Sequence, residues 1–129
     1  MDDRVAQTVP FTVPVPFDSL STPCLLVEQD RLRRNLARMQ DRADANEVAL
    51  RPHAKTHKSV ALARRQLDQG ASGLTVATVD EAATFIEAGI DDVRVAFPVT
   101  GRDKHEQVAA LPASAKLSRT VDTVAGAQQ

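Results

Sequence analysis

The chain has 129 residues, a mass of 13.9 kDa and a formal net charge of -1. This is the size of one domain, and the balanced charge gives no reason to expect a general binder of nucleic acid or of anionic membranes. The apolar runs are too short to span a bilayer, and a single cysteine, Cys24, excludes an internal disulfide. No apolar stretch near the N-terminus resembles a secretion signal, so we expect a cytoplasmic protein.

The first 47 residues predict a leader followed by one strand and one helix. Residues 1–21 are interrupted by Pro10, Pro14 and Pro16, which predicts a flexible leader. The apolar run at 23–27 predicts a strand. Asp30 then stands where it can cap a helix, whose apolar positions recur at helical spacing: Leu32, Leu36, Met39 and Ala43.

From residue 48 onward the sequence alternates between strands and helices. Strands are predicted at 48–55, 74–77, 93–97 and 116–121, with helices at about 59–69, 79–88 and 102–111. Gly70 and Gly89 follow two of these helices, as left-handed caps do, and Thr78 and Glu81 have the spacing of a capping box. Aromatic residues are only 3% of the chain, so the core must be aliphatic. We expect an α/β fold with parallel strands.

The fold class that fits this alternation is the first half of a TIM-type (β/α)8 barrel. Such a barrel needs about 250 residues, so 48–129 would supply about four of its eight units. Half a barrel leaves two strand edges unpaired. We therefore expect a fragment of a longer protein, or a chain that pairs with a second one. The first is favoured because the sequence stops as another helix begins.

The segment from Leu50 to Lys58 carries the chemistry. On a strand, side chains alternate between faces, so Arg51, His53 and Lys55 would share the face that points into the barrel. Lys55 would lie near the carboxyl end of its strand, where α/β barrels keep their active sites. Cations and partial desolvation favour a neutral lysine amine, which is a nucleophile toward carbonyl groups. His53 and His57 lie two positions to either side and are candidates for moving protons.

Other interpretations of this segment remain open. Its two histidines and its lysines and arginine could form an exposed basic patch for phosphate or RNA, although no aromatic residue there supports base stacking. The spacing of His53 and His57 would suit zinc on a helix, but Pro52 disfavours a helix. The segment could also be an ordinary surface strand.

The sequence resembles the D-threonine aldolase and D-serine dehydratase group of pyridoxal-phosphate enzymes, which have the barrel of the alanine racemase N-terminal type. The resemblance rests on Thr22-Pro23, on the helix at 30–39 and above all on Arg-Pro-His-Ala-Lys-Thr-His-Lys at 51–58. Two weaker matches follow, at 73–82 and 88–92.

The resemblance implies that Lys55 binds pyridoxal 5'-phosphate covalently. It also implies that the 23–27 strand belongs to a separate β-domain and that the substrate is a D-configured β-hydroxy amino acid, which is either cleaved or dehydrated. His53 and His57 are candidates for the base or for residues that fix Lys55. Arg51 would contact either the cofactor or an acidic neighbour. Many members hold a divalent metal in a C-terminal β-domain and act as homodimers.

Three alternatives to a lyase remain. One is an alanine-racemase-like racemase, which the missing Tyr after Lys55 disfavours. Another is a non-catalytic pyridoxal-phosphate-binding protein, and the third is a remnant that binds no ligand. The chain also lacks the second half of the barrel and the C-terminal domain of the group it resembles, so we expect activity in a longer protein.

Overall fold

The computed structural model describes residues 16–128. The predicted leader at 1–21 therefore lies mostly outside the described residues. The helices are α1 (Gln29–Asp44), α2 (Val60–Asp68), α3 (Val79–Glu87), α4 (Arg102–Ala109) and α5 (Val124–Ala127), and the strands are β1 (Leu74–Val76), β2 (Asp92–Pro98) and β3 (Lys116–Thr120). Two 3-10 turns occupy Phe17–Ser19 and Ala54–Thr56. None of the helices within 16–128 has the length and apolar character needed to cross a membrane.

The three strands form one parallel sheet in the order β1-β2-β3. Thr75 lies beside Arg94, and Arg94 lies beside Ser118. The connections run through α3 and α4, so the predicted alternation of parallel strands and helices is confirmed from residue 60 onward. The fold is α/β.

Glycines end two of the helices as the sequence predicts. Gly70 and Gly89 have φ values of +117° and +81°, which glycine adopts at little cost. The amide of Gly89 donates to Ile86 O at 2.8 Å, and the next amide, that of Ile90, donates to Phe85 O at 3.0 Å. These paired bonds satisfy carbonyls at the helix end that would otherwise lack partners.

One face of the sheet packs against the helices and forms the core. Alternate strand residues on this face are almost fully buried: Leu74, Val76, Val93 and Val95. Phe85 of α3 and Ala63 of α2 pack against them. Burial of this aliphatic surface is the main stabilising contribution, at about 25 cal/mol per Å².

The opposite face of the sheet carries polar side chains. Arg94 and Ser118 are exposed there, and Thr75 is half-buried. Residues paired in a parallel register point to the same side of a sheet, so these three form one row. His53 extends the row because it makes an isolated parallel bridge to Thr75. No described helix covers this side.

Two predictions about the N-terminal region are wrong. Residues 23–27 form no strand, because no described segment pairs with them, and Leu25 is 97% exposed. The cap of α1 is Glu28 and not Asp30, since the Glu28 carboxylate accepts hydrogen bonds from Asp30 N and Arg31 N, both at 3.0 Å. Asp30 lies inside the helix and pairs with Arg33.

The predicted strand at 48–55 is also largely wrong. The segment lies beside β1, with Ser72 N donating to Leu50 O and Thr75 N donating to Pro52 O, each at 2.8 Å. It makes a single bridge and then turns into the 3-10 helix at Ala54–Thr56. Pro52 has no N–H to donate, which weakens the ladder at this point.

Arg51 joins the amino ends of the strands. Its Nη1 donates to Asp92 Oδ1 at 2.7 Å and to Asp92 O at 3.3 Å, and it reaches Leu74 O at 3.5 Å. The hydrogen bond from Arg51 holds the pKa of Asp92 below its usual value, although partial burial opposes this shift. Gly73 leaves the room for this guanidinium, because a Cβ there would lie 2.6 Å from Asp92 O and would also overlap Arg51.

This crowding predicts that Gly73→Ala is strongly destabilising. The added methyl group must displace Arg51 or strand backbone, so we expect a loss of about 2–4 kcal/mol in the free energy of unfolding. Gly89→Ala is the matched control, because its Cβ meets nothing within 4 Å and only the positive φ is unfavourable. That control should lose about 1 kcal/mol. Urea denaturation measures both, and equal losses would contradict the proposed close packing at Gly73.

Candidate active site at the carboxyl edge of the sheet

The turn that follows His53 presents Lys55 near the carboxyl end of β1. His53 is level with Thr75, the middle residue of β1, and the next three residues form the 3-10 turn. Ala54 is fully buried and anchors the turn in the core. The turn closes where Lys58 N donates to Ala54 O at 2.8 Å. Lys58 has a φ of +47°, a conformation that is uncommon outside glycine.

The Lys55 side chain is exposed. Its backbone N–H donates to His53 Nδ1 at 3.3 Å, while its ammonium group has no hydrogen-bond or ion-pair partner among residues 16–128. The partial desolvation predicted for Lys55 is therefore not seen within this part of the chain. The predicted sharing of one strand face by Arg51, His53 and Lys55 is also wrong for Lys55, because the chain leaves the extended conformation at Ala54.

Arg51 and Lys55 lie toward opposite ends of the sheet. The Arg51 guanidinium contacts the first residues of β1 and β2. The sequence analysis expects Arg51 to contact either the cofactor or an acidic neighbour. In the structure it pairs with an acidic neighbour, Asp92. The structure does not bring the Arg51 guanidinium together with the side chains of the other predicted site residues, which are His53, Lys55 and His57.

His53 keeps one ring nitrogen without a protein partner. Its Nδ1 accepts the bond from Lys55 N, so a neutral His53 ring carries its proton on Nε2. That nitrogen has no partner among residues 16–128. Nε2 is thus the ring nitrogen through which His53 can exchange a proton beside Lys55.

His57 has both ring nitrogens occupied. Its Nδ1 accepts from Ser59 N at 3.0 Å, and its Nε2 lies 3.3 Å from Gln66 Oε1. The ring thus joins the turn to the start of α2. Burial lowers the pKa of His57, and its two hydrogen bonds only partly oppose this shift. His57 is suited to hold the turn in place as a neutral ring.

Glu81 belongs to this cluster, although its sequence position predicts only a helix cap. Thr78 Oγ1 accepts from Glu81 N at 3.2 Å, as a capping box requires. The Glu81 carboxylate, however, accepts from Ala77 N at 2.8 Å and pairs with Lys58 Nζ at 3.2 Å. No local signal in the sequence reveals this pairing, because Glu81 lies 23 positions after Lys58.

The pKa of Glu81 reflects opposing effects. Burial acts to raise it, whereas the bond from Ala77 N, the pairing with Lys58 and the charge of His53 together hold the pKa below its usual value. The ionised carboxylate is the form that the site stabilises.

A cleft of about 140 Å³ opens at the carboxyl ends of β1 and β2. Its walls come from residues just after β1, from the end of β2 and the residues that follow it, and from α4: Ala77, Thr78, Val79, Val95, Phe97, Pro98, Val99, Thr100 and Lys104. The register between β2 and β3 shifts between Val95 and Pro98, where Phe97 is left exposed. The cleft is mainly apolar and has room for part of a small ligand.

Most of this chain is similar to known proteins. Residues 27–129 match the family described as alanine racemase, N-terminal domain. The chain is 43% identical over 110 residues to D-threo-3-hydroxyaspartate dehydratase of Delftia sp. (strain HT23), covering 85% of this chain and 29% of that protein. It is 41% identical over 107 residues to D-threonine aldolase of Arthrobacter sp., covering 83% of this chain and 28% of that protein.

A solved structure is similar over the same region. The crystal structure of D-threonine aldolase from Filomicrobium marinum superposes with a TM-score of 0.81 at 39% sequence identity, covering 84% of this chain and 29% of that one. The chain thus spans less than a third of the length of these relatives. Since the family match extends over most of the sequence, this chain belongs to the alanine racemase N-terminal domain family.

Proposed function

We propose that this chain is part of a pyridoxal-phosphate-dependent lyase that acts on D-configured β-hydroxy amino acids, and that Lys55 is the residue that binds the cofactor. The observation that carries the proposal is an exposed lysine with no ion-pair partner among residues 16–128, held on a fixed turn at the carboxyl edge of a parallel sheet. The names of the relatives, a dehydratase and an aldolase for such substrates, support the lyase over the racemase.

We further propose that the three-stranded sheet is the beginning of an eight-stranded barrel. Helices α2, α3 and α4 pack on one face of the sheet, and the polar row of His53, Thr75, Arg94 and Ser118 lies on the other. In a barrel of this kind the helices surround the sheet and the opposite face lines the interior. The row would then form one layer of the interior beneath the Lys55 turn.

The residues of the turn fit a cofactor that carries an aldehyde. An amine that is accessible and unpaired can attack the aldehyde carbon, which a lysine held in an ion pair does poorly. When bound, pyridoxal phosphate serves as an electron sink for charge that develops at the substrate α-carbon.

The histidines would divide the remaining work. His53 would exchange a proton through Nε2 with the β-hydroxyl group of the substrate. His57 would keep the turn against α2 through Gln66. A divalent metal in a C-terminal domain and assembly into a homodimer are further proposals from the family resemblance. No group of three or more candidate ligands lies close together among residues 16–128.

Replacement of Lys55 tests the proposed cofactor site. The purified protein is incubated with pyridoxal 5'-phosphate, reduced with borohydride and mapped by peptide mass. We expect a pyridoxyl group on Lys55 in the wild-type protein and its loss, together with the visible absorbance, in Lys55→Ala. Lys116→Ala is the matched control, because Lys116 is also exposed but lies at the amino end of β3. Unchanged absorbance in Lys55→Ala would refute the assignment.

Substitution of each histidine separates proton transfer from support of the turn. In the longer protein that contains this chain, we expect His53→Gln to lower kcat for dehydration by about 10²-fold, the usual contribution of a group positioned for proton transfer. His57→Asn should leave kcat within about threefold, because an amide can still accept from Ser59 N and both ring nitrogens of His57 already have protein partners. Keto-acid release from D-threo-3-hydroxyaspartate and glycine release from D-threonine measure the two reactions. Equal losses of kcat in the two variants would argue against this division.

The lowered pKa of His57 predicts a dependence of stability on pH. Because the unfolded chain binds this proton more readily than the folded one, its contribution to stability is present above the unfolded pKa of about 6.5 and is lost as the pH falls below it. Urea midpoints at pH 5.5 and 7.5 should therefore differ more in the wild-type protein than in His57→Asn. An identical pH dependence in both proteins would show that His57 is not the group responsible.

A further inference from the structure

The carboxylate of Glu81 connects two elements that the cofactor site needs to keep together. Its side chain is only 12% exposed. One oxygen, Oε2, accepts from Ala77 N at 2.8 Å, directly after β1, and the other, Oε1, lies 3.2 Å from Lys58 Nζ at the end of the turn. A single, mostly shielded carboxylate thus joins the carboxyl end of β1 to the segment that carries Lys55.

Capping of α3 does not require these contacts. Thr78 supplies the cap through its hydroxyl group, and Asp80 already provides a negative charge in the first turn of the helix. The two bonds of the Glu81 carboxylate are therefore additional to the cap. They are directed toward the strand end and the lysine turn.

The backbone of Lys58 is consistent with a constraint at this position. Lys58 adopts a φ of +47° although it is not glycine, a conformation that persists only where surrounding contacts enforce it. Its N–H closes the turn onto Ala54 O at 2.8 Å, and its ammonium group is held by Glu81. The turn is fixed at its start by buried Ala54 and at its end by this ion pair.

We propose that Glu81 is a positioning residue for Lys55: by pairing with Lys58 it closes the turn at 54–58 and holds the Lys55 amine at the carboxyl edge of β1. The relevance to the cofactor rests on the proposed function, whereas the closure of the turn does not. The charge of Glu81 also offsets the cation of Lys58 near Lys55.

The test combines a readout of the turn with a readout of the lysine. Amide hydrogen exchange is measured at Lys55 and Lys58, and the rate at which borohydride traps pyridoxal 5'-phosphate on Lys55 is measured in the same samples. Glu81→Gln keeps an acceptor for Ala77 N but removes the charge. Lys58→Gly removes the ammonium group but tolerates the positive φ. Lys58→Arg retains the ion pair.

Asp80→Asn is the matched control, because Asp80 also pairs with a lysine, Lys104 at 3.1 Å, but lies on the surface in the same helical turn. We expect exchange at Lys58 to become about tenfold faster in Glu81→Gln and in Lys58→Gly, since loss of a charge-assisted bond to a nearly buried carboxylate lowers local stability. Trapping on Lys55 should slow by about threefold or more in both, because an unfixed amine spends less time in the reactive geometry. Lys58→Arg should keep both rates near those of the wild-type protein, and Asp80→Asn should change neither rate.

The proposal would be overturned if the amides of the turn exchanged at the wild-type rate in both Glu81→Gln and Lys58→Gly. Faster exchange that extends equally through β1 and β2 would overturn it as well, because Glu81 would then support the fold as a whole. Absence of any adduct on Lys55 in the wild-type protein would instead refute the proposed function, and the exchange rates would still decide whether Glu81 closes the turn.

Discussion

The parallel alignment of residues 50–53 with β1 is the constraint on which the candidate site depends. Two backbone bonds of 2.8 Å, from Ser72 N to Leu50 O and from Thr75 N to Pro52 O, set the register. This register places Arg51 at the amino end of the sheet and His53 level with Thr75. Whatever follows His53 must then emerge at the carboxyl edge, where the loops of α/β folds carry functional groups.

Two ion pairs fix the segment from Arg51 to Lys58 at its ends, and they differ in how exposed their side chains are. Arg51 and Asp92 meet at 2.7 Å with side chains that are 28% and 39% exposed, so solvent screens the pair in part. At the other end, Glu81 is 12% exposed while Lys58 is 67% exposed. A partly exposed pair contributes little by charge alone. The Arg51 pair is stabilising mainly because the same guanidinium also bonds two strand carbonyls.

The periodic elements of this fold were predictable from the sequence, and the departures from periodicity were not. Helices α2 to α4 and the three strands follow from apolar spacing and from local signals such as Ser59, Thr78 and Gly89, each of which acts within a few residues. The apolar run at 23–27 fails as a strand because pairing needs a partner that no local pattern reveals. The 3-10 turn at Ala54–Thr56 was not predicted for a related reason, because its closure depends on the packing of Ala54 in the core.

The candidate site shows the same division. The motif at 51–58 identifies Lys55 and its two histidines, because their residue types alone suggest amine and proton chemistry. Glu81 follows Lys58 by 23 positions, and only the crossing from the turn to the start of α3 brings the two together. A glutamate at the third position of a helix can serve either as part of the cap or as the partner of a distant lysine. Sequence spacing alone therefore cannot distinguish these two roles for Glu81.

The arrangement around Lys55 separates rigidity from reactivity. Buried Ala54, neutral His57 bonded to Gln66, and Lys58 paired with Glu81 restrain the backbone on both sides of Lys55. The Lys55 side chain itself is exposed, without a partner for its ammonium group among residues 16–128. Preorganised backbone lowers the entropy lost when a ligand binds, and an amine outside any ion pair keeps its lone pair available once it loses a proton. A single contact to the amine could not provide both a fixed position and an unpaired amine, because a partner that fixed the amine would also stabilise its charged form. Here the neighbours of Lys55 fix the chain, and none of residues 16–128 pairs with its amine.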